Sequence, residues 1–236
     1  MIFFTTFVRD SSGKADMDFE LIRRILPFMV EASLVTLGLT AASLAIGLVV
    51  AAVVTIGRFS KAAPARWLAA VYVSLMRGTP LLVQLFLVYF GGPQFGLDLS
   101  PFTAGVLTMG LNIGAYMSEG IRGAILSVDR GQTEAARSIG FGRVATMRLF
   151  VLPQAAPLMI RSLSVNTVIL SKSTALVSTI GVVELTYSAQ RFVTSTYKPF
   201  EVFAVAGLSY VIIVAAISLM MRTVERSFDA TRRADA

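Results

Sequence analysis

Long apolar runs separated by short charged stretches set the rhythm of this chain. Five of them are expected to be membrane-crossing helices: about Leu26–Ile56, Trp67–Phe90, Pro101–Ile125, a run from Ala155 onward, and Phe200–Met221. About 20 apolar residues cross a ~30 Å hydrocarbon core at ~1.5 Å per residue. The first run is longer than that and is expected to tilt or to lie partly in the interface. The fourth is interrupted at Lys172, which leaves 173–185 as either its kinked continuation or a separate outer segment. Gly38 and Ala42 in the first run, and Gly110, Gly114 and Ser118 in the third, carry the small-residue spacing that lets helices pack closely.

Composition agrees with that pattern. Hydrophobic residues make up 55% of the chain, charged residues only 15%, and mean hydropathy is +0.73. The 21 basic residues against 14 acidic ones are read as loops facing the cytoplasm and membrane lipid, not as a nucleic-acid surface. With Arg130, Arg137, Arg143 and Arg148 in the cytoplasm, five spans also place there Arg58, Lys61, Arg66, Arg222, Arg226, Arg232 and Arg233. The outer loops then hold only Arg191 and Lys198, with the N-terminus outside. The basic N-terminal residues Arg9, Lys14, Arg23 and Arg24 oppose this layout. The expected organisation is an N-terminal tail (1–25), one membrane domain (26–225) containing a cytoplasmic loop (127–154), and a C-terminal tail (226–236).

Absences exclude chemistry. Without His there is no Ser–His or Cys–His dyad, and without Cys there is no disulfide or thiolate metal site. No P-loop occurs, so the chain carries no nucleotide-hydrolysing motif. No metal site or catalytic residue is assigned, which disfavours an intramembrane hydrolase.

The segment between the third and fourth runs, GQTEAARSIGFGRVATMRLFVLPQAAP, is not membrane filler. Gln132–Ile139 reads as a helix with Glu134, Ala135 and Ala136 in its first turn. Gly140 stands where a left-handed cap is wanted, and Arg143–Val151 resumes helix. Val144, Met147 and Val151 would share a face of that second helix, and Pro153 would end it. The alanine pair and the glycine make a smooth surface suited to another protein's groove, as against an ordinary loop folded on its own bundle.

Polar groups inside the membrane are costly and usually face a bundle interior or a water-filled path. The candidates are Arg77, Asn112, Tyr116, Glu119, Arg161, Ser164, Thr167, Ser171 and Lys172. Asn112, Tyr116 and Glu119 share one helical face; Arg161, Ser164, Thr167, Ser171 and Thr174 share another. Two alternatives stand: a polar route for a hydrophilic solute between the third and fourth spans, or an internal ion pair of Glu119 with Arg77 or Arg122.

Glu134-Ala135-Ala136, Gly140, Phe150 and Leu152-Pro153 fit the spacing of E-A-A, three residues, G, nine residues, I, one residue, L-P. This resembles the EAA loop of ABC-importer permeases, with Phe150 where isoleucine is usual. RGTPLLVQLFLVYFG, AYMSEGIRGAI and LPQA are similar to the polar amino-acid importers of the histidine, lysine–arginine–ornithine, glutamine and opine type. KSTAL at Lys172–Leu176 departs from the more usual K-D-T-S-L, and a proline expected around 161–163 is missing. The resemblance implies an all-α membrane protein of the type I importer (MetI-like) fold in the bacterial inner membrane. It implies a non-catalytic permease that moves a polar amino acid or derivative, a basic amino acid or opine being favoured. It also implies two ATP-binding cassette subunits carrying ATP and Mg, a second homologous permease or a second copy of this chain, and a periplasmic amino-acid-binding protein. No cofactor is expected in this chain. A self-contained channel or secondary carrier is the alternative, and the lack of a visible internal repeat weighs against it.

Overall fold

The computed structural model describes residues 18–234, with side chains through Ser227. Arg9, Lys14 and the side chains of Arg232 and Arg233, used in the charge argument above, lie outside the described residues. Among the described residues every regular element is helical.

Helix α1 (Phe19–Phe59) starts well ahead of Leu26 because Asp18 caps it, its Oδ1 accepting the Leu21 N–H at 2.9 Å. The second expected span is not one rod. It divides into α2 (Ala63–Gly78) and α3 (Leu81–Phe86), which continues as a wide π turn over Leu87–Gly91, and the pair is bent by 104°. Pro80 lacks the N–H that would continue α2, and the backbone at Thr79 and Pro80 is extended.

Helix α4 (Pro101–Leu126) begins at a Ser100 cap, followed by the short α5 (Arg130–Ser138) and α6 (Arg143–Thr146). Helix α7 (Leu152–Ser173) tightens into a 3-10 turn over Thr174–Ile180, which Gly181 ends in the left-handed conformation. Residues 173–185 are therefore a tightened extension of α7 and a cap, not a further span. Helix α8 (Leu185–Thr196) stands where the sequence suggested a polar loop, and α9 (Pro199–Ala234) runs unbroken through most of the expected C-terminal tail.

Three helical stretches are long and apolar enough to cross a membrane, Phe19–Phe59, Arg143–Ile180 and Pro199–Ser227, with a fourth if the bent pair counts as one. Helix α4, the third of the five expected spans, is not among them. Its 26 residues match a span in length, but Asn112, Ser118 and Glu119 dilute its apolarity, and it packs among α1, α2 and α7.

The α1–α4 contact is the most extensive in the bundle. A Cβ on Gly110 would lie 2.7 Å from Ile46, one on Gly114 2.6 Å from Val50, and one on Gly47 2.6 Å from Ile113. Farther along, Thr55 donates to the Ser118 carbonyl at 3.4 Å. The glycine stripe is thus a packing seam within one chain. Gly38 takes no part, since an added Cβ there would meet nothing.

A second core joins the start of α1 to α8 and α9 through Ile25, Met29, Leu185 and Val202. Glu184 is fully buried there and accepts from the Tyr187 N–H at 2.8 Å and the Tyr210 hydroxyl at 2.9 Å. The Thr36 hydroxyl on α1 accepts the Leu185 N–H at 3.3 Å, so two side chains cap α8. Lys198 donates to Asp18, which sets the start of α9 beside the start of α1.

Two outcomes are expected. Gly114→Leu overpacks the seam and lowers the thermal midpoint of the detergent-purified protein by an amount corresponding to about 1–3 kcal/mol, whereas Gly38→Ala does not lower it. The Asp18 carboxyl is held below its ordinary range, first by its hydrogen bond to Lys198 and then by the Leu21 N–H. A carboxyl lowered on folding adds stability above its unfolded pKa and loses it as pH falls through the lowered folded value. In Lys198→Met, carboxyl carbon NMR is expected to show Asp18 titrating at higher pH than in the unmodified chain.

Candidate functional site

Two structures make up the site: the segment that joins α4 to α7, and the polar face where α1, α2 and α4 meet. In the segment, Asp129 caps α5 by accepting the Gly131 N–H at 2.6 Å. The helix therefore starts at Arg130, and Glu134 sits past its first turn on the exposed side. The carboxylate that complements this helix N-terminus is Asp129, which the sequence reading passed over. Ala135 is exposed, while Ala136 is 2% exposed and faces inward.

Gly140 adopts φ +92°, as its cap position requires. Around it the Phe141 N–H reaches the Ala136 carbonyl at 3.1 Å and the Gly140 N–H reaches that of Arg137 at 3.0 Å. Beyond α6 the chain widens into a π turn over Met147–Val151 before α7. That extra residue per turn breaks the expected Val144–Met147–Val151 face: Val144 is 80% exposed and Val151 is buried. Pro153 does not end a helix. It lies where the wide turn runs on into α7, inside a continuous helical path and next to the half-buried Leu152.

The two arms of the segment are fastened together. The Phe141 and Phe150 rings meet edge to face at 5.0 Å, and Gln154 donates to Gln132 at 3.1 Å. Phe150, the departure from the usual isoleucine, thus has an aromatic partner. The outward surface carries Ile139, Val144 and Leu149 among Arg130, Arg137, Arg143 and Arg148.

On the polar face, the bend after Gly78 strips carbonyls of their helical partners, and in lipid such groups must be satisfied by protein. Gln84 donates to the carbonyls of Met76 at 2.9 Å and Thr79 at 3.2 Å and to the Thr79 hydroxyl at 2.7 Å. Asn112 donates to the Met76 carbonyl at 2.9 Å and to the Gln84 side-chain oxygen at 3.1 Å. Gln84 was not singled out in the sequence; the signal was a side-chain amide one turn beyond Pro80.

Glu119 collects arginines. Arg122 donates to it through Nε at 2.9 Å and through Nη2 at 2.7 Å, and Arg58 Nη2 and Arg77 Nη1 stand 3.6 and 4.0 Å away. Arg77 also lies over the Tyr116 ring, 5.2 Å from its centroid. Three guanidinium groups from α1, α2 and α4 therefore share one carboxylate. The internal ion pair is present, and it is larger than a pair.

The remaining candidates lie elsewhere. Ser164, Thr167 and Ser171 are buried along α7, and each donates to a carbonyl of its own helix, at 2.9, 2.8 and 2.8 Å. Arg161 and Lys172 are exposed. Helices α4 and α7 close directly on one another, since a Cβ on Gly120 would fall 1.9 Å from the Ser162 hydroxyl oxygen. The Asn112–Glu119 face turns towards α2.

Residues 43–230 match the family model of the binding-protein-dependent transport system inner membrane component. The chain belongs to this family. It is 40% identical over 219 residues to the nopaline transport system permease protein of Agrobacterium fabrum, spanning 89% of this chain and 91% of that one. It is 41% identical over 195 residues to the L-cystine transport system permease protein of Bacillus subtilis, spanning 82% and 83%. Against the glutamine transport system permease protein of Escherichia coli the identity is 35% over 211 residues, spanning 89% and 96%. A crystal structure of an amino acid ABC transporter with histidines superposes with TM-score 0.84 at 34% identity, covering 90% of this chain and 99% of that one. An inward-facing MetNI methionine ABC transporter superposes with TM-score 0.68 at 20% identity, a likeness of fold alone.

The permease is a multi-pass inner-membrane subunit without catalytic activity of its own. ATPase activity lies on partner subunits, and a binding protein belongs to the system. Glu119→Gln leaves the three arginines without their shared carboxylate. The exposure of the cluster reduces the cost below that of a fully buried pair, to about 1–3 kcal/mol. A lower thermal midpoint, partly restored by adding Arg122→Leu, is the expected result in a melting series.

Proposed function

We propose that the permease carries a polar amino acid or amino-acid derivative inward, a basic amino acid or an opine being favoured, on ATP hydrolysed by partner subunits. The observation that carries this is the segment between α4 and α7: a capped, cross-braced helix pair that turns apolar and basic side chains outward. Such a surface suits the cleft of an ATPase. Glu134, Ala135, Ala136, Gly140, Leu152 and Pro153 form its frame, and 127–154 is the coupling loop of a single membrane domain over 26–225. Relatives named for nopaline, L-cystine and glutamine transport, at 35–41% identity, support the substrate class.

The transporter assembles from two ATP-binding cassette subunits, this permease with a homologous permease or a second copy, and a periplasmic amino-acid-binding protein. The N-terminus lies outside and the C-terminus in the cytoplasm. The end of α1, the end of α4 and the coupling loop share one end of the bundle, which supports that orientation. The contact of Lys198 with Asp18 sends α9 towards the same basic end. Of the polar-face residues, Arg77 is the most open; it is 44% exposed and only loosely held by Glu119. Its guanidinium suits the carboxylate that all amino acids share, and the binding protein would set most of the side-chain preference.

Reconstitution with the ATPase and the binding protein tests the assignment. Basic amino acids or opines are expected to stimulate ATP hydrolysis, and Gly140→Pro, incompatible with φ +92°, is expected to insert normally yet abolish that stimulation. Equal stimulation in Gly140→Pro would remove the coupling role, and a complex answering to neither ligand group would remove the substrate preference.

A further inference from the structure

At the basic end of the bundle, the last turn of α1, the first turns of α2 and the end of α4 border an open cavity of about 500 Å³. Arg58, Arg66 and Arg122 line it together with Phe59, Trp67 and Leu126, and no carboxylate does. Glu119, the nearest counter-charge, is already engaged by Arg122 and stands 3.6 Å from Arg58, outside hydrogen-bond reach. Arg66 is held in place by Nη1, which donates to the carbonyls of Ser60 at 3.1 Å and Lys61 at 2.8 Å. Its Nε and Nη2 have no partner among the described residues. Three fixed or half-fixed cations against one shared carboxylate leave the cavity calling for an anion.

The walls say which kind of anion. Phe59, Trp67 and Leu126 are 40%, 64% and 59% exposed, an apolar rim that a free inorganic ion would leave unused. Trp67 is the single tryptophan of the chain, and it occupies the opening turns of a membrane helix, the level at which indoles favour the headgroup region. We propose that this cavity binds the phosphate of an anionic phospholipid, the guanidinium groups of Arg58, Arg66 and Arg122 taking the headgroup and the Phe59–Trp67–Leu126 rim taking the upper acyl chains. The site is independent of which solute the permease carries. Its phosphate competes with Glu119 for Arg58, so lipid charge reaches the arginine cluster on the polar face.

Trp67 reports on the site directly. The full-length chain is placed in phosphatidylcholine nanodiscs containing a minor, equal share of dibrominated phosphatidylglycerol or dibrominated phosphatidylcholine. Bromine quenches tryptophan on contact. Phosphatidylglycerol is expected to quench Trp67 preferentially, with an apparent preference of about fivefold or more at low salt. In Arg66→Gln that preference falls towards unity. In the unmodified chain it falls as salt is raised, an arm that does not depend on how the variant folds. Equal quenching by the two lipids at low salt overturns the site. A preference that falls with salt but survives in Arg66→Gln also overturns it, because it describes general attraction to a basic surface. Saturable protection of Trp67 by inorganic phosphate, beyond chloride of the same ionic strength, assigns the cavity to free phosphate and overturns the lipid.

Discussion

Close backbone contact between α1 and α4 is the constraint on which the rest of the permease depends. In lipid, apolar side chains gain little by leaving one hydrocarbon surroundings for another, so helices hold together by packing and by hydrogen bonds. Gly47, Gly110 and Gly114 let the two backbones approach until side chains of one interlock with the other's spine. Thr55 adds a hydrogen bond to the Ser118 carbonyl at the end of the same seam. With that pair settled, α4 presents its remaining faces to α2 and α7, which brings Asn112 to the broken helix and Glu119 to its arginines.

The polar face answers two separate electrostatic problems. Gln84 and Asn112 repair the backbone where Pro80 breaks it, and neither has much freedom left for a solute. The Glu119 cluster is under-neutralised: one carboxylate serves Arg58, Arg77 and Arg122. Within that cluster the two most loosely held arginines are Arg77 on the polar face and Arg58 beside the cavity. Both stand within 4.0 Å of the same Glu119 carboxylate.

Much of this was legible in the residues. Apolar length located most of the membrane helices, and the small-residue spacing of α4 located one side of the seam, although Gly38 did not mark the other. The turn at Gly140 was visible because only a residue tolerant of positive φ suits that position. What stayed hidden depended on partners distant in sequence. The bend at Pro80 could be suspected, but not its angle, nor that Gln84 and Asn112 would mend it. Helix α8 was mistaken for a loop because its polar residues suit one equally well; buried Glu184 and Thr36 decide the matter by capping it. The stripe of Ser164, Thr167 and Ser171 was legible as a shared helical face, but not that each hydroxyl would donate to a carbonyl of its own helix.

Helix α4 ends at Leu126, and α5 is capped by Asp129 almost at once, so very little slack separates the α5–α6 segment from the central helix. At the far side the segment passes into α7 through a wide turn instead of a stop. The two attachments differ in geometry: one is a link of three residues, the other an unbroken helical path through a wide turn. Under the proposed coupling role, a displacement of the segment would reach α4 across that short link and α7 along continuous backbone.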